Sequence, residues 1–292
     1  MSSSQMLESP VRHELTVMLA GVSYRVQRPW GEFDAEGGMV SDVAVDRRGH
    51  VYVLLRRDPL VDRPGDAVVE LSPEGRRISS WGRDVIADGH LMTCSHDGRI
   101  LVVDRDSHQI VIFDQDRNVC GRLGRRGVPH DPFNHPSGVA LAPGGDILVS
   151  DGYANSRVHR FAPSGEWQAC WGTYGIGPGQ FIVPHAVWVL SDGRTAIADR
   201  DNGRIQLFTP DGGLLDIWTG FARPMAIWGD AEDRLYITDQ VPSLTMLSSS
   251  GEVLGRCRPV LNGAHGVCGD PLSGAIYLAE SNPSRITRLE RL

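Results

Sequence analysis

Six times along the chain a short apolar run returns after the same kind of start: Ser41-Asp42-Val43-Ala44-Val45, His90-Leu91-Met92-Thr93-Cys94, Ser137-Gly138-Val139-Ala140-Leu141, His185-Ala186-Val187-Trp188-Val189, Met225-Ala226-Ile227-Trp228 and His265-Gly266-Val267-Cys268. A repeat of about forty to fifty residues restricts a chain to propellers or solenoids, because one unit alone cannot bury its apolar face. Unit three shows what each unit is made of. Gly138 to Leu141 reads as a strand, Pro143-Gly144-Gly145-Asp146 as a turn, and Ile147 to Asp151 as a second strand. Arg157 to Phe161 and Trp167 to Trp171 supply two more, with Pro163-Ser164-Gly165 turning between them. Valine, isoleucine and aromatic runs punctuated by Gly, Pro, Asp and Ser are strand signals. Four strands per unit make a propeller blade, and no long segment carries helical periodicity.

The expected fold is therefore all-β, a six-bladed β-propeller. Unit six offers only three strands, ending with Arg285-Ile286-Thr287-Arg288-Leu289. Tyr24 to Gly31 is a spare strand that ends in the same Trp-Gly as Trp81-Gly82 and Trp171-Gly172. It is expected to close the last blade and so remove two exposed sheet edges. Residues 1–23 read as a lead-in and 24–292 as the propeller.

With 292 residues and 41% hydrophobic content the chain can bury a large core. A net charge of −7, with no basic run beyond Arg122, Arg125 and Arg126, argues against nucleic acid and acidic membranes as partners. No apolar run reaches transmembrane length, and Leu15 to Ala20 is too short and too acidic in its flank for a secretory core. The five cysteines are odd in number and contain no CxxC spacing. Buried thiols in a reducing, cytoplasmic setting are the expectation.

Histidine fills the repeat position two before the aligned apolar residue in units two, four and six only: His90, His185 and His265. In a closed ring these side chains are related by a pseudo-threefold about the axis. Three imidazoles converging with one side open make a catalytic metal site, for zinc or another divalent transition metal. Another repeated feature is architectural: Asp104, Asp151, Asp199, Asp239 and Glu280 recur after the second strand, with Arg157, Arg204 and Arg285 in step. What does not recur is more informative. Arg56, Arg105 and Arg200 share one position at the ring mouth, and Tyr153 stands one residue beyond it in unit three. Arg56 and Arg200 are candidate substrate contacts and Tyr153 a candidate catalytic residue. His13, His50, His96, His108, His130, His135 and His159 show no such relation and read as surface or loop residues. No GxSxG, GxxxxGK[ST] or HExxH pattern is present. Gly175-Ile176-Gly177-Pro178-Gly179-Gln180-Phe181 reads as an inter-blade turn.

The units resemble NHL repeats. More closely, Ser150-Asp151-Gly152-Tyr153-Ala154-Asn155-Ser156-Arg157, Val183-Pro184-His185 and Ala198-Asp199-Arg200-Asp201-Asn202-Gly203-Arg204-Ile205-Gln206 make the chain similar to the peptidyl-α-hydroxyglycine α-amidating lyases. The resemblance implies zinc on His90, His185 and His265, a catalytic Tyr153, and substrate-carboxylate arginines at Arg56 and Arg200. It implies cleavage of the C–N bond of an N-acyl hemiaminal to amide and aldehyde. The family also carries an aspartate after the third histidine that helps bind a structural calcium, with backbone carbonyls at the places of Val43 and Met92. Here that position is Gly266, which puts calcium in doubt. A family methionine near the site is replaced around Gly263-Ala264. With a cytoplasmic setting expected, a small-molecule, carboxylate-bearing substrate fits better than a secreted peptide. Two other readings stay open at this point, a zinc-dependent propeller hydrolase or lactonase and a non-catalytic NHL interaction module.

Overall fold

The structure is a computed structural model that describes residues 14–35, 37–58, 60 and 64–292. The start of the lead-in, residues 1–13, lies outside them. Six sheets surround one channel. The first four-stranded sheet is Met39–Val45, Val51–Arg56, Val68–Leu71 and Arg77–Trp81. Each strand is antiparallel to its neighbour, and the same up-and-down order recurs in the blades opened by Gly89–Cys94, Gly138–Leu141, Pro184–Val189 and Pro224–Gly229. The sixth blade is Gly266–Gly269, Ile276–Ser281 and Ser284–Arg291, completed by Val22–Trp30. Val26 lies opposite Leu289 and Trp30 opposite Ile286, so the N-terminal strand closes the ring as expected. Residues of the lead-in go further: Thr16–Leu19 turns back onto Val22–Arg25 and gives this blade a fifth strand.

Burial follows the pattern of a ring of sheets packed face to face. The inner strands are largely buried and several read as continuous buried runs, such as Ile100–Asp104 and Gln109–Phe113. The outer strand meets solvent, as in Arg77–Trp81 and Leu214–Trp218. Trp-Gly has a mechanical reason. After the outer strand the backbone turns through the left-handed region, at φ +90° for Gly31, +94° for Gly82 and +93° for Gly172. Only glycine adopts that region without strain, and a Cβ at Gly31 would also press on Leu71 at 2.7 Å. The glycine-rich stretch from Gly175 is an inter-blade connection; its Gln180–Phe181 pairs with Thr173–Tyr174.

The recurring acids are architectural. Asp104 accepts from the backbone N–H groups of Ala87 and Asp88 at 3.0 and 2.9 Å. Asp199 accepts from Ile182 at 2.8 Å and Asp239 from Ala222 at 3.1 Å. Each acid thus ties the loop entering a blade to that blade's second strand, giving otherwise orphaned buried N–H groups a partner. His159 belongs to this network, and its assignment as a surface or loop residue is corrected. It is buried in Arg157–Phe161, opposite Val149 in register, with Nε2 3.4 Å from Asp151 Oδ2. Gln206 and Thr287 hold the matching register positions in blades four and six and bond to Asp199 and Glu280. Burial alone would lower the His159 pKa. The Asp151 and Cys170 side chains outweigh it and hold the imidazole up at about 9. His108 is also buried, against His135 at 4.4 Å between ring centroids.

Candidate active site

Each inner strand starts at the same mouth of the channel, so residues at one repeat position form a ring around the axis. His90, His185 and His265 meet there. Their ring centroids are 4.8, 4.8 and 5.0 Å apart, nearly an equilateral triangle. Their ligand atoms all lie within 4.8 Å of one another. The other nitrogen of each ring is committed. His90 Nδ1 donates to the Ser137 carbonyl at 2.5 Å, His185 Nδ1 to Met225 at 2.6 Å, and His265 Nδ1 to Ser41 at 2.8 Å. A carbonyl can only accept, so each Nδ1 carries the proton and each Nε2 turns its lone pair to the axis. This tautomer, fixed from behind by a backbone carbonyl, is the one that suits a metal ligand.

The acceptors explain the alternation of residue types. Every histidine leans on the equivalent residue of the next blade, and those residues are Ser41, Ser137 and Met225. The serines pass the contact on: Ser41 Oγ donates to the His90 carbonyl at 2.6 Å and Ser137 Oγ to the Pro184 carbonyl at 2.6 Å. A belt of hydrogen bonds therefore runs one way around the channel, broken only where Met225 has no donor to offer.

Burial keeps the imidazoles neutral. It holds the His90 and His185 pKa values well below the ordinary range, with the neighbouring imidazoles adding to the effect, and lowers that of His265 to about 4. Neutral imidazole is the ligating form.

Tyr153 leans over the triangle. Gly152 permits this, since a Cβ there would overlap the Pro184 carbonyl oxygen. The phenolic oxygen lies 2.9 Å from His90 Nε2, 3.1 Å from His185 Nε2 and 3.4 Å from Arg200 NH1. One phenolic proton cannot serve two imidazole lone pairs, so the Nε2 atoms are left under-satisfied. Two guanidinium groups approach the ring, Arg105 at 5.2 Å and Arg200 at 5.4 Å from the centroid. Such cations are attracted to an aromatic ring.

Arg56, Arg105 and Arg200 do line the same mouth. Arg56 Nε donates to Asp88 Oδ1 at 2.7 Å. Arg105 Nε donates to Asp106 at 2.8 Å, and Arg200 Nε to Asp201 at 2.9 Å. From the sequence, Arg105 shares only a repeat position with the other two; its place against Tyr153 appears only once the blades are folded. Asp88 carries no sequence signal beyond lying two residues before His90.

Below the histidines the channel holds a cavity of about 100 Å³, lined by Asp42, Val43, Met92, Val187 and Val267 among others. Asp42 bears on the calcium question. A Cβ at Gly266 would collide with Asp42 Oδ1. The carboxylate missing after the third histidine is thus supplied from the neighbouring blade into the same space. Burial pushes the Asp42 carboxyl up to about 8, against hydrogen bonds from the Met92 and Val43 backbone. Gly266 therefore does not remove the acid from this part of the channel.

Comparison with known proteins agrees with this picture. Residues 133–161 match the family model "NHL repeat". The chain is 29% identical over 230 residues to a peptidyl-glycine alpha-amidating monooxygenase of Xenopus laevis, covering 69% of this chain and 26% of that protein. It thus spans about a quarter of the length of such relatives. It is 26% identical over 300 residues to a probable peptidyl-alpha-hydroxyglycine alpha-amidating lyase of Caenorhabditis elegans, covering 88% of this chain and 84% of that one. Among solved structures, a streptogramin B lyase aligns with TM-score 0.67 at 13% identity, covering 92% of this chain and 98% of that one. A gluconolactonase of Xanthomonas campestris aligns with TM-score 0.70 at 15% identity, covering 92% and 90%. At such identities the structures speak for the fold alone, and one fold carries both a lyase and a lactonase. The chain is an NHL-type β-propeller that resembles the peptidyl-α-hydroxyglycine α-amidating lyases.

Proposed function

We propose that the protein is a metal-dependent lyase that cleaves the C–N bond of an N-acyl hemiaminal, an α-hydroxyglycine-like small molecule, to an amide and an aldehyde. One observation carries this reading. A phenol stands within hydrogen-bond reach of two imidazole lone pairs and an arginine, at the open side of a three-histidine triangle. The donor set fits zinc: three neutral imidazoles, buried, each oriented from behind by a carbonyl. Held by the three Nε2 atoms, zinc would supply Lewis acidity at the substrate hydroxyl.

The chain's own groups do the rest. Tyr153, with Arg105 and Arg200 against its ring, takes the hydroxyl proton. The freed electron pair becomes the new C=O bond as the C–N bond breaks, and the electrons of that bond leave on nitrogen. Tyr153 then returns the proton to the nitrogen, so no water is consumed. Arg56 and Arg200 present guanidinium groups to a substrate carboxylate, a charge-assisted contact suited to planar anions.

N-benzoyl-α-hydroxyglycine tests the reaction type. Benzamide and glyoxylate are expected in equal amounts. Benzoate as product, or no turnover by protein that hydrolyses simple lactones, would replace the lyase with a hydrolase.

Asp42 makes a second, hard-cation site part of the proposal, since carboxylate and carbonyl oxygens are calcium donors. Calcium at one hundred times its dissociation constant is expected to raise the melting temperature by about 3 °C or more. Asp42→Asn should abolish that shift while leaving zinc content unchanged. An equal shift in both proteins, or none in the wild type, would remove calcium from the channel.

A further inference from the structure

The arginines at the mouth are not free cations. Asp88 is 1% exposed and lies between two of them. Its Oδ1 accepts from Arg56 Nε at 2.7 Å, and its Oδ2 is 2.9 Å from Arg105 Nε. The second contact is off the hydrogen-bonding line, so Oδ2 is buried with a charge partner but no donor. Asp106 takes the Arg105 hydrogen bond instead, and Asp201 takes that of Arg200. Each of the three arginines at the mouth thus faces a carboxylate, and Asp201 is shared with Arg223 at 2.8 Å.

Asp88 is not one of the repeated architectural acids. Asp104 already holds the backbone of this segment, including the Asp88 N–H. At the same repeat position the other units carry Met39, His135, Val183, Arg223 and Gly263. An acid is therefore not needed there to build a blade. Burying a carboxylate is costly unless nearby cations compensate, and this one is placed against Arg56, one of the two arginines that a substrate anion would use.

We propose that Asp88 is a built-in counter-anion of the arginine clamp and sets its selectivity. In the empty site it holds Arg56 and Arg105. An incoming carboxylate has to share Arg56 with it, so acids are held loosely and an acidic product is released readily. The inference rests on the reading of Arg56 and Arg200 as carboxylate contacts, and it concerns affinity and not the bond cleaved. Removing the Asp88 charge leaves the mouth one charge more positive without removing a donor.

Calorimetry with two probes that do not react tests this: N-benzoylglycine, which bears the carboxylate, and its uncharged analogue N-benzoylglycinamide. Asp88→Asn is expected to tighten binding of the acid by about tenfold, the scale of one partly screened charge pair. Binding of the amide should stay within about twofold, since it offers no charge to the clamp. Arg56→Gln is expected to weaken acid binding, and adding Asp88→Asn to it to offset part of that loss. Acid binding that is unchanged or weaker in folded Asp88→Asn, both probes changing together, or no acid binding by any variant would overturn the proposal. Should Asp88→Asn fail to fold, Arg56→Gln decides, and unchanged acid binding there overturns it as well. An acid-selective shift in protein that does not split N-benzoyl-α-hydroxyglycine would support the counter-anion and discard the lyase.

Discussion

Replacing His265 by alanine is expected to empty the metal site and abolish turnover while the ring stays folded. Of the three histidines it is the least buried, so its removal disturbs packing least. It costs the fold one hydrogen bond, from Nδ1 to the Ser41 carbonyl. Leaving that carbonyl unpaired should destabilise by about 1–3 kcal/mol, a tolerable loss for a chain of this size. Catalysis has no such reserve. With two imidazoles left, metal content measured on purified protein should fall from about one ion per chain to near zero. Turnover should drop by at least ~10³, which corresponds to about 4 kcal/mol of lost transition-state stabilisation. Full metal retention in the His185→Ala/His265→Ala double variant would refute the site. Metal-free protein with wild-type turnover would refute its role.

Tyr153→Phe is the more selective experiment. The aromatic ring keeps its place against Arg105 and Arg200, and only the hydroxyl, with its contacts to His90, His185 and Arg200, is lost. Zinc content and melting temperature should match the wild type. Turnover should fall by about 10²–10⁴, the usual range for a general acid–base group. A phenylalanine variant working at near wild-type rate would assign Tyr153 to packing and leave proton transfer to another group at the mouth.

The ring, the closing strand and the histidine triangle could be read from the chain because each is a property of one repeat position compared across units. Tyr153 was visible for the same reason, as a departure from Asp106 and Asp201 in its neighbours. The features that were hidden depend on two positions at once, in different blades or on different strands. Asp88 and Arg105 acquire meaning only when the loop before one strand meets the loop after another. His159 looked unrelated because its loop is one residue longer than that of blade four, and only strand register places it with Gln206. Asp42 could have been found. It occupies in unit one the position that Gly266 occupies in unit six, and those units are neighbours once the ring closes. Looking for the missing acid at a single position concealed it.

The hydrogen-bond belt around the channel has one further consequence. Five of its six links cross a boundary between blades, and the missing one falls between blades five and six, at Met225. In this belt that boundary is the weak sector, and local opening is expected to begin where the fewest bonds must break. His185 and His265 stand on the blades either side of blade five. An ion held by both would span the weak sector like a clasp on a bracelet. Metal loading should therefore slow amide hydrogen exchange most in blade five, a region that contributes no ligand of its own.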